Sequence, residues 1–204
     1  MANGQSLLKT EDWLAVWLGF LVIILVLAGV RPQLPSFRWA TDSGVAASVE
    51  ERKPLLESFI KEAEAKGEAE FFAAGTALKA AIEKGDRAEI GSAAKKVGDL
   101  TKKAKDGGLK RMGGEIGKLS GVAGQLVSKV FSGENIWRSV VIGVSYLILS
   151  AIGIALMGGN LGKYIVGFPI VFVIAWLSQF IAGNSTVNYW GLEYVIFALL
   201  IGLI

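Results

Sequence analysis

The chain has 204 residues, 52% of them hydrophobic, with 21 basic and 18 acidic residues and a formal net charge of +3. It has no cysteine and no histidine, which excludes thiol nucleophiles, disulfides, Cys or His metal sites, haem ligation by His and every triad built on imidazole. Sixteen of the bases and thirteen of the acids fall between Glu50 and Lys129, where opposite signs alternate as on a solvated helical surface, so a nucleic-acid partner is not indicated.

Met1 to Asp12 is a short polar leader. Trp13 to Val30 (WLAVWLGFLVIILVLAGV) is an uncharged run that reads as a first membrane span. A cleaved signal peptide is the rival reading, with Lys9 as its basic region. The run exceeds the roughly 7 to 15 residues of a signal core, Glu11 and Asp12 sit where basic charge belongs, and Arg31-Pro32 follows instead of small cleavage-site residues. Trp13, Trp17 and Trp39 suit an aromatic belt. Pro32 and Pro35 stop the helix, because proline has no N–H and its ring clashes with the preceding turn. Residues 1–31 are thus leader and first span, and 32–45 a loop.

Residues 46–133 turn to Ala, Lys, Glu and Gly, without prolines after Pro54 or any alternating β-branched run, which predicts a soluble helical insertion. Gly67, Gly85 and Gly107-Gly108 divide it near Glu50–Lys66, Glu68–Lys84, Arg87–Asp106 and Leu109–Ser132. Gly67 is the weakest break, since one glycine costs only ~1 kcal/mol in a helix, and a single long helix through it stays open. Asp86 followed by Glu89 resembles a capping box. Ile90, Ala93, Val97, Leu100 and Ala104 form one narrow apolar stripe, and Leu109, Met112, Ile116, Leu119, Ala123, Leu126 and Val130 a second. Stripes this narrow predict an antiparallel hairpin or small bundle. The alternative is a coiled coil between subunits, hence a homo-oligomer. Gly113, Gly114, Gly117, Gly121 and Gly124 either let helices approach closely or mark a pliable helix.

Residues 134–204 begin a membrane domain. A hydrocarbon core of about 30 Å needs roughly 20 apolar residues. The runs at about 137–157 and 164–182 meet that requirement; the run at 192–204 is incomplete, and the sequence reads as cut inside a helix. Arg31, Arg38, Lys129 and Arg138 flank the insertion against Lys9 and Lys163 on the other side, which favours a cytoplasmic insertion and an external N-terminus. No catalytic, metal-binding or cofactor-binding pattern is present; GGNLG lacks the lysine and hydroxyl of a phosphate-binding loop. Three weak pathway candidates remain. Glu193 is either an ion ligand or a headgroup anchor, Pro169 kinks its helix, and Asn188 offers an amide in a polar interruption, GNSTVN.

The stretches NSTVNYWGLEYVIFALLIGLI and TEDWLAVWLGFLVIIL resemble the YeiH-type family of sulfate exporters, the second matching the leading span of a long-form subgroup with a charged insertion. The resemblance implies an all-α, polytopic cell-membrane protein with a helical insertion between its first and second spans, of which this chain is the N-terminal part. It also implies alternating-access transport of a small inorganic anion around a midplane site, on helices that would follow Ile204. The partners are then a lipid bilayer and that anion, and the chain is not an enzyme. The other class is a membrane-anchored structural or signalling protein whose insertion binds a partner.

Overall fold

The computed structural model describes residues 11–203, with side chains from residue 15 onward. Ten helices and no strand are present among the described residues. They fall into two units. One holds residues 11–36, Phe131–Ile181 and residues 194–203; the other holds Phe37–Val130 and Ala182–Glu193.

In the second unit, α2 (Asp42–Ala65), α3 (Ala69–Lys84), α4 (Arg87–Thr101) and α5 (Gly107–Gly124) run up and down in turn. Each packs on the next, and α2 also packs on α5, so α2 and α4 are diagonal across a shared core. α2 starts at Asp42, four residues earlier than the composition shift at Ala46 suggests. Thr41 causes this by accepting the Gly44 N–H at 3.1 Å. The helix runs through Pro54, whose missing N–H and ring clash should break it. Burial overrides that cost, because Val45 and Val49 before the proline and Leu56, Phe59 and Ala63 after it all face the core.

Gly67 is a true break. α2 ends at Ala65, and Gly67 takes φ +68°, a left-handed conformation that side chains with a Cβ avoid. Asp86 caps α4 by accepting from the Ala88 and Glu89 amides at 2.8 and 3.0 Å. Only half of the expected capping box forms, since the Glu89 carboxylate turns instead to Lys84 at 3.0 Å.

The two stripes are buried as predicted through Ile90, Val97, Leu109, Met112, Ile116, Leu119 and Ala123. The α4 seam also takes in Ala94 and Thr101, whose hydroxyl donates to Val97 O at 3.0 Å. Leu126 lies outside it at 40% exposure, because α5 ends at Gly124 and Val127–Val130 forms a separate short helix, α6. Since α2 and α4 cover the α5 seam within the chain, it is not free to form the intersubunit coiled coil weighed from the sequence. The glycines divide by position. A Cβ on Gly117 would lie 2.8 Å from Gly98 Cα, and one on Gly113 would strike Thr101, so these two set the α4–α5 approach; Gly114 and Gly121 face open space.

In the first unit, α1 (Glu11–Leu27) is 17 residues long, about 25 Å of helical rise. Gly29, at φ +96°, turns the chain before Pro32, so the helix is shorter than the apolar run Trp13–Val30. α7 (Gly133–Leu156) and α8 (Leu161–Ala182) have 24 and 22 residues, and both are long and apolar enough to cross a membrane. α10 (Tyr194–Gly202) is apolar and has nine residues. Val140, Val144, Ile148 and Ile152 on α7 and Val166, Ile170 and Val173 on α8 are all exposed.

Candidate functional site

Polar and aromatic groups of the first unit converge on the seam between α7 and α8. Tyr164, Phe168, Phe172, Trp176 and Phe180 recur at every fourth residue of α8 and are all half-buried, while Ile165, Val166, Ile170, Val171, Val173 and Leu177 around them are exposed. The ring pairs Tyr164–Phe168, Phe168–Phe172 and Trp176–Phe180 stand 5.9 to 6.1 Å apart. α7 meets the ladder with small residues. Gly143 is buried, and a Cβ there would lie 2.8 Å from the Phe172 ring. Ser139 accepts the Trp176 indole N–H at 3.1 Å and donates to Asn135 O at 3.0 Å. Asn135 in turn clamps Ser36, accepting its amide N–H at 2.7 Å and donating to its carbonyl at 3.0 Å. Phe131, just before α7, closes the cluster against Trp176 and Phe180.

This seam is a packing device. Gly143 and Ser139 leave room for the Phe172 and Trp176 side chains, and an indole N–H that meets a hydroxyl is satisfied without water. The other serines are spoken for: Ser145 and Ser178 donate to the carbonyls four residues back, at 2.8 Å each, and Ser150 does the same.

The second unit has its own polar junction, at the end where its chain segments enter and leave. Arg87 donates to Ala123 O at 2.9 Å, Gln125 O at 2.8 Å, Ala40 O at 3.0 Å and the Asp42 carboxylate at 3.0 Å. One guanidinium thus joins the start of α2 to the end of α5, a fork geometry that lysine cannot reproduce. The Ala40 amide adds a bond to Gln125 O at 2.8 Å. Next along the chain, Trp39 donates to Gly183 O at 3.0 Å and accepts from Ser185 N at 2.8 Å. Asn184 is only 7% exposed and caps the short helix α9 (Ser185–Tyr189), accepting from Thr186 and Val187 at 2.9 and 3.3 Å. The polar interruption GNSTVN is therefore docked on the start of α2 and is not a free loop.

The pathway residues predicted from the sequence fall in both units. Glu193 is exposed, directly before α10, and makes no ion pair among the described residues. Asn188 is exposed near the end of α9. Both belong to the second unit. Pro169 belongs to the first, exposed on α8 eight residues after Leu161, where it leaves the Ile165 carbonyl without its helical donor. Sequence reasoning missed Arg87 and the aromatic ladder, and it placed Asn184 in the polar interruption without its capping role; only the ladder's four-residue spacing was visible beforehand. Among the described residues no three acidic side chains gather where they could hold a metal ion.

Short stretches of the chain are similar to curated membrane proteins. A UPF0324 membrane protein of Rhodopirellula baltica is 35% identical over 68 residues, 32% of this chain and 12% of that protein. A UPF0324 membrane protein of Nitratidesulfovibrio vulgaris is 41% identical over 54 residues, 26% of this chain and 9% of that protein. The chain therefore spans about a tenth of the length of these relatives. No family model and no solved structure matches it.

Proposed function

We propose that the chain is part of a multi-pass cell-membrane transporter, with α1, α7 and α8 as spans and α2–α5 inserted between the first and second. The observation that carries this reading is the pair α7 and α8, two consecutive helices of crossing length with apolar side chains exposed outside their common seam. Apolar surface of that extent is stable against lipid and unstable against water. The local similarity to UPF0324 membrane proteins agrees with it.

On this reading the substrate is a small inorganic anion, sulfate by family resemblance, and no chemical transformation takes place. On this reading the substrate site lies outside the α7–α8 seam, where Ser139, Ser145, Ser150 and Ser178 donate to carbonyls of their own helices. The test is sulfate flux in proteoliposomes. The full-length gene product should give saturable flux and the 204-residue chain none above empty vesicles. Flux by the chain alone that is lost in Glu193→Gln would overturn the reading and make Glu193 a pathway residue.

Topology has its own test, because the chain lacks cysteine. A cysteine replacing Ser92, which is exposed on α4, should resist an impermeant maleimide in intact cells if the insertion is cytoplasmic. The second reading, a membrane-anchored signalling protein, is favoured by one observation: α2–α5 close a core of their own. A stop codon directly after Ile204 would put that reading first.

A further inference from the structure

We propose that the outer face of α4, with the turn that follows it, is a docking surface for an acidic protein segment carrying an apolar side chain. Ser92, Lys95, Lys96, Asp99, Leu100 and Lys103 line an open groove of about 410 Å³. Lys95, Lys96 and Lys103 make no ion pair among the described residues; the one acid in the groove lining, Asp99, is held by Lys102 at 2.7 Å. From Lys95 to Arg111 there are seven bases and two acids. Both acids are engaged, Asp99 by Lys102 and Asp106 by Lys66. α2, diagonal to α4, has the opposite balance, with six acids and three bases. The excess positive charge is therefore local to one corner.

The chemistry of the groove selects its occupant. Leu100 is half-buried against the core, so the floor is apolar, and lysine stems flank it with their ammonium groups outward. A free inorganic anion gains nothing from an apolar floor. A segment with carboxylates on either side of a leucine-like residue matches floor and rims together. A lipid surface fits less well, because a plane of anionic headgroups meets the lysine rims but presents no apolar side chain to Leu100. The proposal is independent of the transport reading.

The test uses the full chain in phosphatidylcholine nanodiscs and a fluorescent synthetic peptide of repeating Glu-Glu-Leu-Glu, followed by anisotropy. Binding should weaken at least tenfold between low and high salt and at least tenfold in Lys95→Glu/Lys96→Glu/Lys103→Glu, while Lys79→Glu on α3 leaves it unchanged. Leu100→Ala should weaken that peptide severalfold without affecting an all-Glu peptide. If the triple variant melts early by circular dichroism, Lys103→Glu alone should still lose binding severalfold. Equal binding by wild type and the charge-reversal variants would overturn the proposal, as would indifference to Leu100→Ala. Two further results would replace the occupant and so also overturn it. One is a charge-reversal effect on binding to phosphatidylglycerol vesicles with none on the peptide. The other is salt-sensitive self-association lost in the triple variant and not displaced by the peptide.

Discussion

The α2–α5 unit and the α7–α8 pair bury their side chains by different rules, and the difference follows from what surrounds each. In α2–α5 the apolar residues are sparse, set at three- and four-residue steps, and nearly all turned inward. Leu78, Leu109 and Ile116 are fully buried while the charges face out. Burying each large side chain stabilises by about 1.5 to 3 kcal/mol because the alternative is water. In α7 and α8 nearly every position is apolar, so hydrophobicity does not choose a face; shape does, through Ser139 and Gly143 receiving Trp176 and Phe172. Where lipid replaces water there is little hydrophobic gain in bringing helices together, and close packing with a few hydrogen bonds is what remains.

Polar substitution separates the two regions most strongly. Leu119 is 1% exposed, and Leu119→Asp strands a charge in a dry seam, which costs several kcal/mol, a large fraction of a domain's stability. The expected result is loss of the α2–α5 thermal transition by circular dichroism, with the helicity of α7 and α8 retained. Loss of both together would show that the regions fold as one cooperative block. Arg87→Ala should come next, destabilising α2–α5 by about 2 to 4 kcal/mol, since it removes the donor to the Ala40 and Ala123 carbonyls and one of the two bonds to Gln125 O. Arg87→Lys should recover less than half of that, read from urea midpoints at constant slope.

Steric substitution tests the other rule. Gly143→Leu forces the α7 backbone away from Phe172 and should cost about 1 to 3 kcal/mol of α7–α8 association. Cysteines placed at Ser139 and Trp176 would report it as lost cross-linking. Gly117→Leu makes the same insult between α4 and α5, with Gly114→Leu, on the open side, as its neutral control.

How far the sequence predicts each region follows from the same physics. In α2–α5 the period of Ile90, Val97, Ile116 and Leu119 reports the buried face directly, because water sorts those residues from Lys95, Lys96 and Glu115. The turn glycines Gly67 and Gly85 are legible for the conformations they allow. Arg87 was not legible, since its partners are backbone carbonyls, and any residue could have supplied them. Asn184 lies in the polar interruption GNSTVN, and its capping of α9 is not legible there because capping depends on where the amide points. For α7 and α8 the sequence shows existence and length but not facing. The aromatic ladder from Tyr164 to Phe180 was the one available signal, carried by side-chain size and not by polarity. Glu193, Asn188 and Pro169 stand out in the sequence as a carboxylate, an amide and a proline of the apolar half, and each is exposed in the structure.

The smallest effect concerns the turn end of α2–α5, where the two chain reversals are tied by charge. Lys66 bridges Glu62 and Asp106, and Asp106 also caps α5 by accepting the Leu109 amide at 2.9 Å. The Lys66 ammonium and then that amide hold the Asp106 carboxyl below the usual carboxylate range, while hydrogen bonds to Asp106 and Glu62 raise the Lys66 pKa. Asp106 therefore contributes stability that is present above the unfolded carboxylate value of about 3.9 and is lost as pH falls through its lowered folded value. Lys66 contributes stability that is fully present below about 10.4 and is lost as pH rises through its raised folded value. Between those limits the tie should be flat with pH. Both groups face solvent, so screening keeps the effect small and salt should weaken it further. The Leu109 amide should exchange with deuterium faster, after correction for intrinsic rates, as pH is lowered from 5 toward 3, while the Ile116 amide keeps its protection. Asp106→Asn separates the two roles, because asparagine caps a helix about as well as aspartate without the charge. It should abolish the acid-side change at Leu109 and leave α5 starting at the same residue. An acid-side change that persists in Asp106→Asn would assign it to Glu115 instead, whose carboxyl Lys118 holds low.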